Sequence, residues 1–95
     1  MSAPHFLVHN KKDTVGVVVV EGVQAGMPLA GWVMDTDATI SVAARDPIPL
    51  GHKIALREIK KGEAIIKYGH DVGQASADVG EGRHVHVHNV KTKRW

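Results

Sequence analysis

Apolar positions along this chain recur with the two-residue period of a strand more than with the 3.6-residue period of a helix. Phe6 to His9 is a short apolar run ahead of Asn10-Lys11-Lys12-Asp13, which predicts a first strand and a hairpin turn. Val15 to Val20 is a mostly β-branched run suited to a strand covered on both faces. Gly31 to Met34 and Thr39 to Ala44 read as further strands, separated by the turn-forming Asp35-Thr36-Asp37. Asp46-Pro47-Ile48-Pro49 then interrupts regular structure, because each proline fixes its own φ and restricts the residue before it. Lys53 to Ile59 fits a strand or a helical turn, Ala64 to Tyr68 is a strand, and Gln74 to Val79 alternates small and polar residues. Arg83 to Val90 alternates strictly, which on a strand puts His84, His86 and His88 on one face and Val85 and Val87 on the other. Nothing longer than about eight residues is amphipathic at helical spacing. The expectation is a mainly β chain with short strands, tight glycine turns and little helix.

A recurring signature supports that class. Val23-x-x-Gly26, Ile59-x-x-Gly62 and Val79-x-x-Gly82 each place an aliphatic residue three positions before a glycine. A carboxylate precedes the aliphatic in the last two (Glu58 and Asp78), and a strand follows. The economical reading is one tight turn used repeatedly, with the aliphatic anchored in the core and the glycine at positive φ.

Ninety-five residues suit one compact domain, residues 1–95, too small to enclose a deep cleft alone, so a shared active site or a binding role is expected. Hydrophobic residues make up 43% and charged residues 23%, as in a soluble globular protein. Phe6, Trp32, Tyr68 and Trp95 are the only aromatics, and the lysines and arginines are scattered, which argues against nucleic-acid binding. A net charge of +2 is compatible with attraction of small anions. The absence of cysteine excludes disulfides, thiolate nucleophiles and cysteine-held clusters within this chain, and agrees with a reducing cytoplasm. No signal peptide is visible at Met1-Ser2-Ala3-Pro4-His5, and Val17-Val18-Val19-Val20 is far short of a membrane span, so a cytoplasmic protein without a membrane partner is expected.

The chemistry-bearing stretch is His84-Val85-His86-Val87-His88-Asn89. Alternate side chains on a strand lie about 6.6–6.8 Å apart on one face, so two imidazoles can converge on a metal ion, bind an anion, or accept a proton near neutral pH. A polar strand face, wet or covered by a partner, is the alternative. Gly51-His52-Lys53 follows the proline corner, where His52 could move a proton and Lys53 could hold a carboxylate or stabilise an enolate. His70-Asp71 between glycines reads as a solvated loop, and His5 and His9 as surface residues. The tail Lys91-Thr92-Lys93-Arg94-Trp95 is either a frayed end or a docking segment anchored by Trp95.

Pro49-Leu50-Gly51-His52-Lys53-Ile54-Ala55-Leu56, Ile59-Lys60-Lys61-Gly62-Glu63, Ile66-Lys67-Tyr68-Gly69 and Gly82-Arg83-His84-Val85-His86-Val87-His88-Asn89, in that order, resemble the small SAF-type domain of the altronate/galactarate dehydratase family. The resemblance implies a β-clip fold. His5-Phe6-Leu7-Val8-His9, Asp13-x-Val15-Gly16-Val17, Gly31-Trp32-Val33-Met34 and the end His88 to Trp95 are similar to one branch of that family. There the domain is a separate alpha chain beside a large beta subunit, and the reaction expels sulfite from (2R)-3-sulfolactate to give pyruvate. The resemblance implies catalytic roles for His52, Lys53 and His86, substrate binding by His88 and Asn89, and an Fe2+ cofactor held mainly by the large subunit, with His86 and His88 as candidate ligands on this chain. His70-Asp71 departs from the family pattern, and Arg83 stands where an acid is common. Three other readings remain open: a sugar-acid dehydratase subunit, a non-catalytic anion- or carbohydrate-binding module, and a scaffold for the large subunit.

Overall fold

The computed structural model describes residues 3–86 and 88–92, and among them the chain forms nine short strands and no helix. Strands β1 (Phe6–Val8), β2 (Val15–Val18), β3 (Pro28–Val33), β4 (Ala38–Ala43), β5 (Lys53–Ala55) and β8 (His84–Val85) make one sheet, in the order β4-β3-β1-β2-β5-β8. Strands β6 (Ala64–Lys67), β7 (His70–Ala75) and β9 (Val90–Thr92) make a second, in the order β6-β7-β9. The mainly β reading holds, and the Asn10–Asp13 segment joins an antiparallel β1–β2 pair, as its polarity predicts.

The repeated glycine turn organises both sheets. Val23, Ile59 and Val79 are fully buried, and Gly26, Gly62 and Gly82 take φ of 92°, 87° and 84°. Ile48 and Gly51 (φ 87°) form a fourth copy, which the flanking prolines conceal in the sequence. The four anchors pair two by two in isolated bridges, Val23 with Ile48 and Ile59 with Val79. Each pair brackets one hairpin, β3–β4 or β6–β7. The hydrogen bonds repeat as well: Gly26 N donates to Ala44 O at 2.7 Å and Gly62 N to Ala75 O at 2.8 Å, while Ala44 N reaches Met27 O at 2.8 Å and Ala75 N reaches Glu63 O at 2.9 Å. Residues 23–55 and 59–85 are therefore two copies of one motif, anchor turn, hairpin, anchor turn, strand, with β1 and β2 before them and β9 after. The first copy ends in β5 and the second in β8, and these two strands pair antiparallel with Ile54 opposite His84. The core falls into two clusters, one around Phe6, Leu29 and Ile54, the other around Ile59, Ile65 and Val85 with Val15 and Ala55.

Several expectations need correction. β3 begins at Pro28, three residues before the expected start, with the proline at the first strand position, where its missing N–H costs least. β2 ends at Val18, and Val19 is 39% exposed, so the valine run is not covered throughout. Lys53–Ile59 is only three residues of strand, followed by a bend into the Ile59 anchor turn. His70 and Asp71 open strand β7, paired with Lys67 and Ile66, instead of forming a loop. The alternating segment at 83–90 is not one strand: β8 stops at Val85 and residues 88–89 lie in a turn before β9. Val87 of that segment and Lys93, Arg94 and Trp95 of the proposed docking tail lie outside the described residues. No helix among the described residues is long and apolar enough to cross a membrane.

Candidate active site

The junction of the two motif copies brings the histidines together. Gly51 turns the chain into β5, so His52 and Lys53 enter beside β8, with Lys53 opposite Val85. On the other side, Asp46 fixes the start of β8: its carboxylate accepts the His84 backbone N–H at 3.0 Å and the Arg83 guanidinium at 2.9 Å. Burial pulls the Asp46 carboxyl upward, but the His84 amide and the Arg83 contacts outweigh it and hold the group below the usual carboxylate range.

Asn89 then turns the chain back. Its side-chain carbonyl accepts the His86 N–H at 2.9 Å, its amide group donates to His84 O at 2.8 Å, and its own N–H donates to His86 O at 3.1 Å. Such local side-chain bonds are how asparagine competes with a continuing ladder. The result carries His86 over His52, with ring centroids 3.9 Å apart and planes 22° apart. His52 Nδ1 lies 2.7 Å from His84 Nε2, a bond in which one ring donates and the other accepts. One nitrogen from each of His52, His84 and His86 lies within 4.8 Å of those of the other two. All three residues are half-buried. Burial, reinforced by the neighbouring imidazoles, holds His84 below the ordinary histidine value. His86 is lowered by burial, then by His52, Lys53 and His88. Both are therefore neutral at neutral pH, the form that accepts a proton or ligates a metal.

A pocket of about 370 Å³ opens beside this cluster. Its apolar lining is Ile65, Val72, Val85 and Val90, and its polar lining is Lys53, Lys67, Tyr68 and His86. No carboxylate is among the described residues that line it. Val72 enters the lining through a β-bulge: Ile65 pairs with Gly73 and Ile66 with Asp71, which leaves Val72 as the extra residue of β7. Burial, and next the charge of Lys67, pull the Lys53 ammonium below the ordinary lysine value, so the two cations share one electrostatic environment. A second cavity of about 380 Å³, between Pro4, Trp32 and Thr39, is lined by none of the histidines.

His52, Lys53 and His86, the three residues expected to be catalytic, are thus brought to one place. His84, which alternates with His86 in the sequence, completes the cluster. His88 is exposed, its ring centroid lies 5.0 Å from that of His84, and it neither lines the pocket nor joins the three converging nitrogens. Asn89 spends its side chain on the turn backbone. Its contribution to the site, as the structure places it, is to hold His84 and His86 in position. Lys67 and Tyr68 received no role from the sequence, although Ile66-Lys67-Tyr68-Gly69 was one of the ordered motifs. His9 is not a simple surface residue, since its ring packs 4.0 Å from that of Tyr68. His5 Nδ1 accepts the Ala30 N–H at 2.9 Å.

Three imidazoles that can meet at one point are a donor set for a divalent first-row metal, with remaining positions open to substrate. Two of them, His52 and His84, share a hydrogen bond, which a bound metal would replace. The donor set therefore fits a metal without specifying which.

Comparison with known proteins gives a consistent result. The altronate/galactarate dehydratase SAF domain family matches residues 4–93. The (2R)-sulfolactate sulfo-lyase subunit alpha of Chromohalobacter salexigens is 56% identical over 90 residues, which span 95% of this chain and 96% of that protein. The protein of the same name from Paracoccus pantotrophus is 44% identical over 63 residues, 66% of this chain and 94% of that protein. The altronate dehydratase of Bacillus subtilis is 39% identical over 87 residues, 92% of this chain but only 16% of that much longer enzyme.

Proposed function

This chain belongs to the altronate/galactarate dehydratase SAF domain family, and from that premise we propose that it is the alpha subunit of a (2R)-sulfolactate sulfo-lyase, acting with a larger subunit in the cytoplasm. The observation that carries the reading is the meeting of Lys53 and His86 in the wall of a pocket with cationic and apolar lining and no acid. In the reaction, the proton on C2 of (2R)-3-sulfolactate is removed, the C3–S bond breaks with its electron pair leaving as sulfite, and the resulting enol tautomerises to pyruvate.

Lys53 pairs with the substrate carboxylate and gains strength as negative charge spreads from C2 onto it, which is how a fixed cation favours the transition state over the ground state. His86 is the one imidazole among the described lining residues and is held in its neutral form near pH 7, and it takes the C2 proton. His52 stacks on His86 and bonds to His84, so the pair limits where that ring can go.

The convergence of three nitrogen donors favours a second reading for the same ring. Ferrous ion would be held by His52, His84 and His86, and would supply Lewis acidity toward the substrate carboxylate and hydroxyl. His86 is then a ligand, and the proton passes to a group on the larger subunit.

Reconstitution with the larger subunit should release pyruvate and sulfite in equal amounts from (2R)-3-sulfolactate and give no turnover of altronate. Turnover of altronate alone would make this the small subunit of a sugar-acid dehydratase. His86→Ala should abolish turnover while the subunits still associate, and full activity would remove His86 from the mechanism. Iron content of the same variant separates the two roles: loss of iron makes His86 a ligand, and retained iron leaves it the proton-transfer residue.

A further inference from the structure

Lys67 and Tyr68 stand at the end of β6 and in its turn into β7, and they line the same pocket as Lys53 and His86. We propose that Lys67 is a second substrate anchor which, with Lys53, makes this pocket a receptor for a short dianion, and that Tyr68 and the buried Asp13 hold that anchor in place. The proposal builds on the reading that the pocket takes a small acid. It adds the residue that meets the second negative charge of such a substrate.

Charge balance is the first argument. Two ammonium groups line one small pocket, and among the described residues no carboxylate lines it with them. A monoanion would leave one of them unanswered in a partly desolvated setting, whereas a dianion with its charges two or three bonds apart answers both.

The second argument is the backbone. Tyr68 and Gly69 form a two-residue loop between the paired residues Lys67 and His70, and both take positive φ, 56° and 74°. This is the turn that Asn-Gly fills most easily, and a bulky aromatic at its first position is disfavoured. Here the strain is held by Asp13, only 7% exposed. Its carboxylate accepts the N–H of Gly69 at 2.7 Å, of Tyr68 at 3.1 Å and of Asn10 at 3.2 Å. A strained residue over-determined by a buried carboxylate, at the rim of a pocket, points to a task for its side chain.

The third argument is what that side chain does. Lys67 Nζ sits 4.4 Å from the centroid of the Tyr68 ring, and His9 packs against the same ring. A long flexible cation is thereby given a preferred place, which lowers the entropy lost when it meets an anion. Asp13 is then a positioning residue acting through the Tyr68-Gly69 turn.

The test uses the reconstituted two-subunit complex and calorimetric binding of malonate, a short dianion, and lactate, a monoanion. Wild type should prefer malonate by roughly tenfold or more. Lys67→Gln should cut that preference to about twofold or less while lactate binding stays unchanged, and Lys67→Arg should restore most of it. Equal binding of the two acids by wild type, or an undiminished malonate preference in Lys67→Gln, would overturn the proposal. Asp13→Asn should lower the preference as Lys67→Gln does. A folded Asp13→Asn complex with the full preference would show that Asp13 is only structural and refute its positioning role. Because binding is read without turnover, failure of the sulfolactate assignment and failure of dianion recognition give different results.

Discussion

The anchor turns offer a paired experiment, because two of them share a backbone and differ in surroundings. Gly62 and Gly82 close the two anchor turns of the second motif copy, at φ 87° and 84°. A methyl group on Gly62 would meet nothing within 4 Å, whereas one on Gly82 would fall on the carbonyl oxygen of Ala43 and lie 3.0 Å from Arg45 Cγ. Gly62→Ala therefore reports the left-handed penalty alone, about 1 kcal/mol. Gly82→Ala pays the same penalty and must also move the turn off a backbone atom that cannot rotate away. The movement strains the bond from Arg45 N to Gly82 O, 2.9 Å, and that from Gly82 N to Ala55 O, 2.8 Å. Losing one such bond and leaving its partner poorly satisfied adds roughly 2–3 kcal/mol, for a total of about 3–4 kcal/mol. For a chain of this size the two variants should melt about 5 °C and roughly 15–25 °C below wild type. The assay is thermal unfolding followed by circular dichroism, at equal protein concentration and with chelator present. Equal melting temperatures for the two variants would refute the steric argument and place the whole cost in φ.

The remaining predictions concern the core, the turn that shapes the site, and the metal. Gly31→Ala would drive its methyl into the ring of fully buried Phe6, and overpacking should cost about 2–3 kcal/mol in denaturant unfolding. Asn89→Ala removes both side-chain bonds to the His84 and His86 backbone, and should cost about 1–2 kcal/mol of stability while shifting the His86 ring resonances in NMR spectra. Titration with Co2+ should show one site per chain, weakened about tenfold or more by His52→Ala or His84→Ala and unchanged by His88→Ala.

The chain's own order of residues determined the fold class and the turn that builds it. Period-two patterning with β-branched side chains left no face for a helix. A glycine three residues after an aliphatic marks a turn whose backbone and anchor are both local requirements, so Val23, Ile59 and Val79 were legible as core without a partner in view. Gly51-His52-Lys53 and the histidine triplet were legible as chemistry because imidazoles and an ammonium at such density have few bland uses.

Tertiary structure decided which of those groups meet, because that depends on distant pairing. His52 reaches His84 only through the β5–β8 pairing across 32 residues. Strict alternation cannot reveal that the strand stops at Val85, because the stop is made by a side chain, that of Asn89, bonding to backbone three and five residues earlier. Lys67 and Tyr68 enter the pocket through a strained turn held by Asp13, 55 and 56 residues away from the amides it accepts, and Val72 enters it through a bulge. Local sequence carries the preferences of each residue for strand, turn and solvent. The convergence of side chains from separate turns is a property of the sheet register, which the chain acquires only when the two copies of its motif pack together.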